Sequence, residues 1–128
     1  MSWQNFMLVG IGGFFGSMGR FGLSRLINEG ILTKTFPYAT FSINIFGSFL
    51  LGVVYALALK KIGNPDTISY LLGIGFCGGF TTFSTFAWEN MALIEQRNFS
   101  GLLFYCGGSI VLALVAVWGG FTVVKSLI

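Results

Sequence analysis

Charge is missing from this chain over long distances: none falls between Lys34 and Lys60, between Asp66 and Glu89, or between Arg97 and Lys125. Those stretches are mostly apolar, and a helix needs roughly 20 such residues to cross a bilayer. With 55% hydrophobic residues, 9% charged residues and a mean hydropathy of +0.84, the composition argues against a water-soluble globular domain. Four spans joined by short loops, over about residues 3–27, 38–59, 68–94 and 99–124, use up nearly all of the 128 residues as one integral membrane domain. The expected fold class is therefore an all-α membrane protein with four transmembrane helices. The first span lacks the basic start and small-residue cleavage site of a secretory signal, so it is read as a mature helix. The formal charge of +3 is spread along the chain and leaves no nucleic-acid footprint.

One run inside the third span resists a helical reading: Gly75-Phe-Cys-Gly-Gly-Phe-Thr-Thr-Phe-Ser-Thr-Phe86. Glycine loses the most backbone entropy in a helix interior, and Thr81, Thr82 and Thr85 are stiff at χ1 with hydroxyls that compete for backbone hydrogen bonds. The expectation is a helix broken at the Gly78-Gly79 pair. In hydrocarbon, a break frees N–H and C=O groups that water cannot reach, so it survives only when buried in protein or lining a cavity. Two half-helices meeting at mid-membrane aim carbonyl oxygens and amide dipole ends at one place, which suits a small ion.

The remaining polar residues within spans each carry two readings. Arg20 lies inside the apolar pattern of the first span, either snorkelling to the interface or acting as a cation at a pore mouth. Gly12/Gly16 and Gly13/Ser17 in that span have the spacing that lets helix backbones approach closely. Asn44 in the second span is helix glue or a ligand donor, and spacing alone favours glue; Thr40 lies one turn before it on the same face. Phe83 and Phe86 share a face at i and i+3 and read by default as packing or lipid contact. Glu89, near Trp88, is expected towards an interface, and Tyr105 and Ser109 make a short polar track on the fourth span. Cys77 and Cys106 show neither metal-ligand nor disulfide spacing and read as packing residues.

Four spans put both termini and the Lys60-Lys61 loop on one side. Lys60, Lys61 and Lys125 then balance Arg25, Lys34 and Arg97 on the other, with Arg20 set aside. The positive-inside rule orients a chain through such a difference, and here there is almost none. The chain is thus expected to insert both ways and to pair as a dual-topology antiparallel dimer, or with a sister subunit of opposite bias.

The run Gly78-Gly-Phe-Thr-Thr-Phe-Ser-Thr-Phe86 closely resembles the signature of the Fluc (CrcB) fluoride channels of microorganisms. Gly16 to Arg20, Thr40 with Asn44, Gly108-Ser109, the chain length and the number of spans support the match across the whole chain. The resemblance implies a dual-topology antiparallel dimer with two fluoride pores, in which the Gly78 and Thr81 carbonyls of both subunits hold a central structural Na⁺. It further implies that Phe83 and Phe86 form an aromatic box and that Asn44 and Thr40 donate hydrogen bonds to the ion. Arg20 would lie near an aqueous vestibule, with Tyr105 and Ser109 on the polar track of the fourth span. Where the family usually carries a further hydroxyl one turn after the serine, this chain has Ala113.

The physics of fluoride agrees with these residue types. A pore must replace the ion's waters with many weak donors, and phenyl rings offer positive edges. The function implied is passive export of F⁻ from the cytoplasm across the cell membrane, with fluoride, lipid and the second subunit as partners. The alternative is a proton-coupled small multidrug exporter, which needs a titratable carboxylate in its first span; none precedes Arg20. Enzymatic activity is not expected, because the chain has no histidine and no evident nucleophile–base pair.

Overall fold

A computed structural model describes residues 2–32 and 34–128. Its four helical spans, Trp3–Gly30, Tyr38–Leu59, Pro65–Glu95 and Phe99–Leu127, are each long and apolar enough to cross a membrane, and no strand occurs among the described residues. The first is α1 and the second α2. The third is two helices: α3, residues 65–80, and α4, Phe83–Glu95. The fourth is α5.

Local sequence sets most helix starts. Ser2, Asn64, Thr82 and Asn98 each accept a hydrogen bond from a first-turn amide, those of Gln4, Asp66 with Thr67, Thr85 and Gly101, at 3.0–3.2 Å. Pro65 follows Asn64 as the first helical residue, where its missing N–H is no loss. α2 and α4 end alike. Lys61 and Arg97 adopt φ of 54° and 53°, and the amides of Ile62 and Asn98 reach back to the carbonyls of Leu57 and Leu93.

The expected break is present, three residues beyond its expected place. Gly78–Phe80 is helical, and the extended residues are Thr81 (ψ 156°) and Thr82 (φ −148°). At Gly79 the missing side chain serves packing, whereas a Cβ on Gly78 would meet nothing within 4 Å. A Cβ on Gly79 would lie 2.7 Å from the Gly13 carbonyl oxygen and 3.1 Å from Ser17 Oγ. The nine residues Ser69–Cys77 of α3 are π-helical, which the sequence did not foreshadow. There the carbonyls of Leu71 and Phe76 sit where Cβ atoms of Gly12 and Gly16 would be, so the expected close approach of α1 is to this backbone.

α2 and α5 interlock the same way. A Cβ on Gly52 would strike the Val117 carbonyl, and one on Gly120 would strike the Phe49 carbonyl. Ile43, Val54 and Ala56 of α2 and Tyr105 of α5 are buried. The chain is thus two close helix pairs, α1 with α3 and α2 with α5. The break lies between them.

Candidate functional site

Unwinding at Thr81-Thr82 frees backbone groups, and side chains from two distant spans meet some of them. Asn44 of α2 grips Thr82 twice: the Thr82 N–H donates to Asn44 Oδ1 at 2.8 Å, and Asn44 Nδ2 donates to the Thr82 carbonyl at 3.0 Å. A carboxamide has the same donor and acceptor as a peptide group, so it replaces the missing backbone partner. Arg20 of α1 donates from Nε to the Gly79 carbonyl at 3.1 Å, placing a cation at the negative end of α3. Arg20 is part-buried against the break. Thr81 Oγ1 returns to the Cys77 carbonyl at 2.8 Å.

The break takes the i+4 amide away from the carbonyls of Gly78, Gly79, Phe80 and Thr81; Arg20 meets that of Gly79, and for Gly78 and Thr81 the missing donor is held by another group. The Gly78 oxygen would receive Thr82 N–H, which is committed to Asn44, and the Thr81 oxygen would receive Thr85 N–H, which is committed to Thr82 Oγ1. These are the two positions that the resemblance assigns to a cation. Their free lone pairs fit a hard oxygen-seeking ion.

Beside the break, a groove of about 410 Å³ opens between α2, α3, α4 and α5. Asn44, Phe83, Phe86 and Ser109 line it together with Gly78 and Thr81, so residues from four helices converge there. Its described lining is uncharged, and Ala113 lies beside Ser109 in the same wall. The Phe83 and Phe86 ring centroids are 5.6 Å apart at 40°, and Phe83 is 80% exposed, so its ring projects away from the chain's own packing. The Ser109 hydroxyl is buried without a hydrogen-bond partner. It is a donor in want of an acceptor.

Thr40, Tyr105 and Arg20 stand outside this groove. Tyr105 is fully buried behind Phe86, its ring stacked on it at 5.0 Å. Its hydroxyl donates to Glu89 Oε2 at 2.6 Å, while Thr40 Oγ1 donates to Glu89 Oε1 at 2.7 Å. The sequence reading expected Glu89 near an interface and gave it no partners. It borders a second pocket of about 300 Å³ with Asn28, Lys34 and Gln96, and its carboxylate is gripped from inside the bundle. Nothing in the sequence joins residues 40, 89 and 105. The one signal was that Glu89 is an acid within a span, where an ionised group needs partners.

Comparison with known proteins matches residues 7–121 to the family described as CrcB-like protein, Camphor Resistance (CrcB). The chain is 41% identical over 116 residues to a Fluoride-specific ion channel FluC of Chlorobium phaeobacteroides, covering 90% of this chain and 88% of that one. It is 45% identical over 116 residues to Fluoride-specific ion channel FluC 1 of Listeria monocytogenes, covering 91% and 93%, and 38% identical over 119 residues to FluC of Campylobacter lari, covering 93% and 96%. These relatives are named as ion channels, a class that performs no covalent chemistry. With the family matched over most of its length and four helices able to cross a bilayer, the chain is a multi-pass membrane protein of the CrcB-like family.

Proposed function

We propose that this protein is a fluoride-selective channel that lets F⁻ leave the cytoplasm down its electrochemical gradient, working as an antiparallel dimer. Relatives 38–45% identical over most of the chain bear the name fluoride-specific ion channel. Export limits toxicity because HF crosses membranes uncharged and dissociates inside.

The observation that carries the reading is the groove beside the broken helix, where an uncharged lining meets two phenyl rings, an amide and an unpaired hydroxyl. Fluoride holds water tightly, so a pore must exchange that water for donors without trapping the ion. Ser109 offers an O–H and Asn44 keeps one N–H beyond the one bound to Thr82. Ring edges at Phe83 and Phe86 add partial positive charge without full charge. Phe86 is braced by Tyr105, which Glu89 and Thr40 hold in turn. Phe83 is exposed on the face where a second subunit would complete the box.

The Gly78 and Thr81 carbonyls would hold a structural Na⁺ shared with the inverted partner, which supplies positive potential near the ion path when bound. The near-equal basic charge on the two sides supports insertion in both orientations. Purified protein in liposomes should release F⁻ at least a hundredfold faster than Cl⁻, about 2.7 kcal/mol of discrimination. Equal rates on ion-selective electrodes would overturn the assignment.

A further inference from the structure

Hydroxyls in the groove divide into those spent on the protein and those free to meet an ion. Ser48 Oγ donates to the Asn44 carbonyl at 2.6 Å, and Thr81 Oγ1 donates to the Cys77 carbonyl at 2.8 Å. Thr82 Oγ1 donates to Thr85 Oγ1 at 3.1 Å. With their hydrogens committed, these oxygens have only lone pairs left to offer, which an anion avoids. Two groove hydroxyls donate to no described residue: Ser109, already placed on the pathway, and Tyr55.

Tyr55 stands eleven residues beyond Asn44, about 16 Å along α2 at 1.5 Å per residue. Asn44, Ser48, Leu51 and Tyr55 follow i, i+4, i+7 and i+11, so one stripe of α2 walls the groove from the break towards the Lys60-Lys61 side. Facing that end is Gly73 of α3. A Cβ built there lies 3.6 Å from both Cζ and Oη of Tyr55, so the glycine keeps the space in front of the hydroxyl clear. Tyr55 is 41% exposed, so its ring is not held as a core residue.

We propose that the Tyr55 hydroxyl is the hydrogen-bond donor that receives fluoride at the Lys60-Lys61 end of the groove, with Gly73 keeping its approach open. This rests on the fluoride-channel reading and extends the path by one residue. A free phenolic O–H is the stronger kind of neutral donor and carries no charge to trap the ion. Five residues before Lys60, it stands where an ion exchanges groove donors for water.

The test compares wild type, Tyr55→Phe and Gly73→Ala in liposomes, with F⁻ efflux on an electrode and the dimer measured by size exclusion. A hydrogen bond to a charged group contributes about 1.5–3 kcal/mol, so Tyr55→Phe should slow F⁻ efflux about tenfold or more with the dimer intact. Gly73→Ala adds a methyl at ordinary contact distance and should slow efflux severalfold without unfolding. Efflux within twofold of wild type in Tyr55→Phe would return the residue to an interfacial belt role and overturn the proposal. If Tyr55→Phe loses the dimer, Gly73→Ala decides, and unchanged efflux there overturns it. Wild type without F⁻ selectivity would sink the channel reading itself, whereas a selective wild type with unaffected variants sinks this inference alone.

Discussion

Asn44 divides its carboxamide between the break and the groove beside it. Its Oδ1 and one N–H are bound to Thr82, and its second N–H remains for the groove it lines. Asn44→Asp keeps the acceptor for the Thr82 amide but turns an oxygen towards the Thr82 carbonyl. The variant should lose about 1–3 kcal/mol of stability for the orphaned group and lose F⁻ flux to charge repulsion. Unchanged thermal stability in detergent and unchanged flux would refute both roles. Sequence posed Arg20 as a snorkelling residue or a pore-mouth cation, and the structure turns it inward onto the Gly79 carbonyl.

At the scale of elements, the glycines of the third span were legible but their purpose was not. Backbone freedom suggested a break at Gly78-Gly79, whereas contact with α1 keeps Gly79 helical and leaves the break to two β-branched residues that favour extended backbone. Gly79→Ala should therefore destabilise the protein by about 1–3 kcal/mol, because its methyl meets the main chain of Gly13 rather than a side chain that can swing away. Gly10→Ala, with nothing within 4 Å, is the matched control and should leave the melting temperature unchanged or slightly raised. Equal behaviour of the two would mean that the α1–α3 contact is looser than described. The start of α4 needs no such tertiary help, since Thr82 caps it from within the sequence.

For the whole molecule, the balance of basic residues becomes a testable property. Lys60→Gln with Lys61→Asn leaves Lys125 alone on its side against Arg25, Lys34 and Arg97, and asparagine tolerates the left-handed backbone at position 61. The doubly substituted chain should insert mainly with its Arg97 side in the cytoplasm, and F⁻ flux should fall as oppositely oriented partners disappear. Accessibility of cysteines engineered into the loops reads the orientation. Mixed orientation with full flux would remove charge balance as the basis of antiparallel pairing. α1 and α5 carry many large apolar side chains that are exposed in the chain alone.

Sequence by itself determined the four spans, most helix starts, and an interruption near residue 80, because hydrophobic length, capping side chains and β-branching act through neighbours in the chain. Tertiary structure alone decided that Asn44 takes the Thr82 amide, that Arg20 meets the Gly79 carbonyl, and that Thr40, Glu89 and Tyr105 share hydrogen bonds. Those outcomes depend on groups 16 to 59 residues apart being brought within hydrogen-bonding reach, and only the packing of whole helices sets such distances.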